Sequence, residues 1–198
     1  MVATGYSLSP GGLLFPYHIG VLTALESLGA LNEASPIAGS SAGAIAVCSH
    51  AAGTKPEMAL DATVRMAQKC DTMGGARGNL LPLLEEELMQ ILPQDSHTVI
   101  NEREGIVGLA YYEIFPRPKP VLATSFDSKQ DVVDAVCNSS AFPFFSSNWP
   151  CRFVKPRSSA LPRLAMDGYF TVPRNRFGCP DFHQLSATNN NKEDDDDD

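Results

Sequence analysis

The sequence predicts an α/β domain with a largely parallel sheet. Three observations carry this. Short apolar runs suited to strands alternate with longer helical patterns. A chain of 198 residues, 43% hydrophobic, has enough material for the core of one domain. The pentapeptide Gly39-Ser40-Ser41-Ala42-Gly43 reads G-x-S-x-G, the spacing of a strand-to-helix turn that exposes a serine hydroxyl.

The elements follow in chain order. Residues 3–9 read as a first strand, which Pro10-Gly11-Gly12 ends in a loop. Apolar positions Ile19, Leu22, Ala24 and Leu25 predict a helix over 17–28, with Gly29 as its stop. Pro36-Ile37-Ala38 is a short buried strand leading into the G-x-S-x-G turn, and Ala44-Ile45-Ala46-Val47-Cys48 suits a buried helix behind it. Residues 56–68 and 80–92 are the next two helices. In the second, Leu80, Leu84, Leu88 and Ile91 form an apolar stripe, which places Glu85, Glu86 and Glu87 towards solvent. Residues 105–114 and 120–124 predict strands, and Ser128 or Asp127 starts a helix over 128–138. Residues 146–161, rich in Ser, Pro and aromatics, read as a surface loop of the kind that lines sites. Leu164-Ala165-Met166 is a last short strand ending at Asp167-Gly168.

Composition narrows the function classes. The net charge is −8, of which residues 189–198 carry −5 through Lys192, Glu193 and five aspartates, so the remainder is −3. That final run reads as a solvated, disordered acidic tail. No basic stripe points to nucleic acid. Five cysteines without a C-x-x-C spacing argue against a disulfide framework or a zinc site, and for a reducing, cytoplasmic setting. No metal or other cofactor is expected, since the aspartates at 194–198 lack the glycine and spacing of a calcium loop. Neither a signal peptide nor a membrane-spanning run is visible, so any membrane contact is expected to be peripheral.

A serine hydroxyl needs a base to take its proton and N–H donors to hold the oxyanion. Gly11 and Gly12, between the first strand and first helix, are the candidate donors; the same residues also read as a plain Gly-rich turn. Two arrangements of the base stay open. Asp167 can act directly on Ser41, or Ser41, Asp167 and His183 can form a triad in the chain order Ser, Asp, His. Asp167-Gly168 also reads as a turn closing a hairpin.

These blocks together resemble the patatin-like phospholipases, in particular their adiponutrin-type lipid acyl hydrolase branch. The resemblance is strongest over residues 5–173. It rests on the loop and helix start from Ser9 to Leu22, on Gly39, Ser41 and Gly43, and on Leu92-Pro93-Gln94-Asp95-Ser96-His97. Ser125-Phe126-Asp127-Ser128, Ala141-Phe142-Pro143-Phe144-Phe145 and Met166-Asp167-Gly168 complete it. It implies a three-layer α/β/α fold of the cytosolic phospholipase A2 type, with residues 1–185 as the domain and 186–198 as the tail. It implies Ser41 as nucleophile, Asp167 as proton acceptor, Gly11 and Gly12 as oxyanion hole, and a lipid ester as substrate at a membrane or lipid-droplet surface. His18 and His97 become structural.

The chain departs from the family's G-x-G-x-x-G loop, with Pro10 and Phe15 in place of glycines. Tyr169 replaces a small residue after Asp167-Gly168, and the chain ends soon afterwards. These departures support a second expectation: a weak or inactive member that binds lipid surfaces through Phe142, Phe144, Phe145, Trp149 and Phe153.

Overall fold

The computed structural model describes residues 4–154, 162–172 and 174–182. Six strands form one sheet: β1 (Tyr6–Leu8), β2 (Ile37–Ser40), β3 (Val107–Phe115), β4 (Lys119–Ala123), β5 (Arg152–Val154) and β6 (Arg163–Met166). The helices are α1 (Phe15–Ser27), α2 (Ala42–Ala51), α3 (Pro56–Thr72), α4 (Leu80–Ile91), α5 (Ser96–Glu102) and α6 (Lys129–Ser139). β1 pairs parallel with β2, and β2 with β3. β4 and β6 run antiparallel to β3, and β5 antiparallel to β6. β1, β2, β3 and β5 therefore share one direction. This mostly parallel sheet with flanking helices matches the expected α/β/α architecture.

The long β3 organises the sheet. Its residues 109–113 pair with β4 on one edge. On the other edge its start, residues 107–110, pairs with β2, and its end, 112–115, pairs with β6. β4 overlaps both of those stretches, and a strand has only two edges, so β2 and β6 lie end to end on the second edge. β2 runs with β3 and stops at Ser40 opposite Ala110, whereas β6 runs against it and stops at Met166 opposite Tyr112. Their C-terminal ends face each other across the width of one residue.

Helix α2 is the centre of the core. All of its residues except His50 are buried, which explains its run of Ala, Val and Ile: it packs against β2 and β3 on one side and against α1 and α6 on the other. Only small side chains allow four elements to close on one helix at native density. Helix α6 begins where Ser128 accepts a hydrogen bond from the Asp131 N–H (3.2 Å), the cap expected of a serine in that position.

Three expectations are corrected. Glu87 does not face solvent; it is 1% exposed, between α3 and α4. Arg65 donates to it from Nη2 at 2.7 Å and Lys69 from Nζ at 3.1 Å. Burial alone would raise its pKa, but the hydrogen bonds from these two cations outweigh burial and hold it below the ordinary glutamate value. The apolar stripe of α4 is wider than expected, taking in Leu81 and Leu83, because α3 and α6 pack on it from two sides. The stretch 146–161 is not all loop, since β5 lies within it; residues 155–161 fall outside the described residues. Helix α5 has no counterpart in the sequence reading.

The segment 174–182 forms no strand, yet it packs against β1 and the residues flanking it. Ser7 Oγ donates to the Pro180 carbonyl (2.7 Å), Gly5 abuts the Phe182 ring, and Gly178 lies against Pro10. The acidic run at 186–198 lies outside the described residues.

Candidate active site

Ser41 stands between β2 and α2 with φ 51° and ψ −118°, a backbone conformation rarely adopted by a residue with a side chain. Strain of this kind persists only where the surroundings enforce it. They do so through the flanking glycines. A Cβ on Gly39 would lie 2.3 Å from the Gly43 carbonyl carbon and oxygen, and one on Gly43 would lie 2.5 Å from the Leu8 carbonyl oxygen. The turn can close, and α2 can start against β1, only without side chains at both positions. The Ser41 N–H is tied down as well: it donates to Ser139 Oγ (2.8 Å), whose hydroxyl donates to the Ala110 carbonyl (2.5 Å). No local pattern marked Ser139, which lies 98 residues from Ser41 and reaches it from the end of α6.

The end-to-end arrangement of β2 and β6 fixes what faces Ser41. The residue after Ser40 and the residue after Met166 both fall level with Tyr111 of β3. Those residues are Ser41 and Asp167. Asp167-Gly168 is therefore not a hairpin turn: the aspartate caps a short 3₁₀ turn over Gly168–Thr171. Gly168 is held by space, since a Cβ there would sit 2.3 Å from the Ala110 carbonyl oxygen and 2.9 Å from Ser40 Cβ. Both strand ends thus close on the same point of β3.

The Asp167 carboxyl is fully buried. Its Oδ1 accepts from the Tyr169 N–H (2.8 Å), while Oδ2 makes no hydrogen bond of ordinary length and angle. Burial pushes its pKa up to about 6, against the opposing pull of the Tyr169 N–H and the Ser41 hydroxyl. The carboxyl is thus a stronger base than a solvated aspartate, and its free oxygen belongs to the side chain that the Ser41 hydroxyl faces.

Both residues line the head of a cavity of about 1100 Å³. Its body is apolar, bounded by Ile45 of α2, Met66, Ala67 and Cys70 of α3, and Leu80, Leu81 and Leu84 of α4. Gly11 and Gly12 line the same cavity, where Gly11 caps and Gly12 opens a 3₁₀ turn over Gly12–Leu14. The Gly11 carbonyl closes that turn by accepting from the Leu14 N–H (3.0 Å), and the Gly11 and Gly12 N–H groups play no part in the bond. His18 supports the loop from behind. Its Nε2 would lie 3.3 Å from a Cβ on Gly11, and it hydrogen-bonds the Ser9 backbone. Burial lowers its pKa against the opposing pull of that hydrogen bond, which favours the neutral ring.

The departures from the motif now have positions. Phe15 starts α1 and is buried, with its ring at the cavity wall. Pro10 packs against Gly178. Tyr169 supplies the N–H that holds Asp167, and its ring packs edge-on against Phe170 (5.3 Å between centroids). His183 lies outside the described residues. Among the described residues no cluster of His, Cys, Asp and Glu is suited to a metal, and no helix is long and apolar enough to cross a membrane.

The chain thus presents a strained serine on a strand-to-helix elbow, beside an apolar cavity in an α/β domain. The chain belongs to the patatin-like phospholipase family, whose model matches residues 6–175. It is similar to human 1-acylglycerol-3-phosphate O-acyltransferase PNPLA3, with 29% identity over 161 residues, covering 75% of this chain and 32% of that protein. The chain thus spans about a third of that curated relative's length.

Proposed function

We propose that this protein is a lipid acyl hydrolase that cleaves fatty-acyl esters through an acyl-enzyme on Ser41. The observation that carries this reading is the meeting of Ser41 and the buried Asp167 at the head of a large apolar cavity. Asp167 takes the Ser41 proton as Oγ attacks the ester carbonyl carbon. The oxyanion is held by the N–H groups of Gly11 and Gly12; one such donor contributes about 2.7–4 kcal/mol to the transition state. The ester C–O bond breaks, and the alcohol leaves with the proton from Asp167. Water then attacks the acyl-enzyme, Asp167 takes its proton, the fatty acid departs and Ser41 regains its hydrogen. The human relative's name describes acyl transfer to an acylglycerol phosphate. An acyl-enzyme passes its acyl group to whichever hydroxyl reaches it, and in the reaction proposed here that hydroxyl is water's.

The substrate is a phospholipid or triacylglycerol type of ester, and residues 1–185 form the catalytic domain. A fluorophosphonate probe is expected to label the wild-type protein and not Ser41→Ala, and a panel of lipid esters then identifies the class cleaved. Equal labelling of both proteins, or none of the wild type, would sink the assignment.

Such esters reside in bilayers or droplets, so the mouth must meet a lipid surface. Leu13, Phe142, Phe145 and Phe177 line the cavity and are all exposed, Phe177 to 76%. Phe144 and Trp149 extend this apolar rim, with the Phe144 N–H donating to the Trp149 carbonyl (3.2 Å). Contiguous exposed apolar surface around a site is the mark of an interaction face. Phe153, 59% exposed, belongs to β5 and does not line the cavity. Phosphatidylcholine vesicles are expected to float the wild-type protein and to lose the double variant Trp149→Ser/Phe177→Ser. Unchanged flotation of that variant would place the contact elsewhere.

A further inference from the structure

Behind the main cavity lies a second, much smaller void, of about 10 Å³, lined by residues that include Ser49, Ala59, Ala62, Glu87 and Leu88. Four residues line both spaces: Phe15, Ile45, Met66 and Leu84. They are all buried, and each comes from a different helix, α1, α2, α3 and α4. A side chain that borders two cavities is the wall between them. We propose that these four side chains form the floor of an acyl-chain site, that this floor sets the longest acyl chain accepted, and that Met66 is its adjustable part. The proposal rests on the acyl hydrolase reading above and adds the chain-length limit.

The choice of Met66 follows from its position and chemistry. Phe15 opens the helix that follows the Gly11-Gly12 loop, and Ile45 lies one turn into the helix that starts at Ser41. Changing either one disturbs the groups around the ester. Leu84 is branched and sits one turn before Glu87, whose ion pairs join α3 to α4. Met66 lies on α3, distant in sequence from both, and is unbranched with three rotatable side-chain bonds. On α3, Thr63, Ala67 and Cys70 are small and line the main cavity, Ala59 and Ala62 line the small void on the neighbouring row of the helix, and Met66 alone borders both. Beyond Met66 the walls of the small void include Ala59 and Ala62, one helical turn or two further along α3, so cutting Met66 back to alanine joins two spaces that small residues already border. The far void also holds the buried Ser49 hydroxyl, which has no hydrogen-bond partner, and the Glu87 carboxylate, which Arg65 and Lys69 hold. These polar groups limit the extra depth to a few methylenes.

The test measures binding first and turnover second. Straight-chain fatty acids from octanoate to eicosanoate displace a fluorescent fatty acid from wild-type protein, Met66→Ala and Met66→Phe. Affinity is expected to rise about four-fold for each methylene that gains a buried place, up to a cut-off. The cut-off moves to longer chains in Met66→Ala and to shorter chains in Met66→Phe. Met66→Val replaces the alanine variant if that one fails to fold. A cut-off at the same length in all three proteins overturns the proposal, and so does the absence of binding by any acid. Turnover of the matching esters separates this from the wider reading. A cut-off that moves without turnover removes the hydrolase and leaves the floor; turnover with a fixed chain-length profile removes the floor and leaves the hydrolase.

Discussion

Asp167→Asn is expected to abolish ester turnover while leaving the fold at least as stable as the wild type above pH 6. The catalytic loss is on the order of 10⁴-fold, the scale reached when the carboxylate of a serine hydrolase's machinery is neutralised. An amide keeps the acceptor for the Tyr169 N–H, so the geometry of the turn survives while the base is lost. The stability effect has the opposite sign, and its cause is burial. The folded carboxyl binds its proton up to about pH 6, whereas a solvated aspartate releases it near 3.8. Between those values the native state binds more protons than the unfolded one, so this group's contribution to stability falls as pH rises through that window. A rise of about two units corresponds to roughly 3 kcal/mol lost by pH 7. Asparagine removes this penalty. Thermal melts of both proteins at pH 4 and pH 8 check the sign: the difference favouring Asp167→Asn is larger at pH 8. For the wild type, turnover rises with pH through about 6 as the base loses its proton. Wild-type turnover in the Asn variant would remove Asp167 from the chemistry. A flat acid limb down to pH 4 would remove it as the titrating group.

Gly43→Ala is expected to prevent stable folding. The added methyl carbon would lie 2.5 Å from the Leu8 carbonyl oxygen and 2.8 Å from the Leu8 carbonyl carbon. Both are backbone atoms of β1, which cannot rotate aside as a side chain can. Relief requires α2 to move off β1, and α2 is the most buried of the helices among the described residues. Overpacking of ordinary core sites costs about 1–3 kcal/mol. A clash with fixed backbone under the central helix exceeds that and consumes much of a typical stability of about 5–15 kcal/mol. Gly20→Ala is the control, because a Cβ at Gly20, in the interior of α1, meets nothing within 4 Å. It is expected to raise stability by about 0.5–1 kcal/mol through helix propensity alone. Soluble expression and melting temperature of both variants decide the matter. A Gly43→Ala protein that melts with the wild type would show that the elbow has room the geometry denies it.

Some of the site was legible before any coordinates. The spacing of Gly39, Ser41 and Gly43 announces a tight turn because the steric demand lies within five residues of chain. Apolar positions predicted α1 and α4 closely for the same reason, since a helical period is a local property. Asp167-Gly168 was legible only as a pair with competing meanings, a base or a hairpin turn. Glu87 was misplaced because three consecutive glutamates look solvated until the cations that α3 brings to them are known. Ser139 and Phe177 carried no local signal at all.

By itself, then, the sequence determined the order of the elements and the nature of the tight turn at Ser41. Both are encoded in short stretches, where φ/ψ sterics and hydrophobic period act over a few residues. The tertiary structure alone decided that Ser41 meets Asp167. That meeting depends on β2 running with β3, β6 running against it, and both stopping one residue apart on the same edge. Strand register is set by pairing between distant segments, and one residue of slip would turn the facing side chains away from each other. The apolar cavity belongs to the same class of fact: its walls come from α1, α2, α3 and α4, and it exists only where those helices fail to close completely on one another.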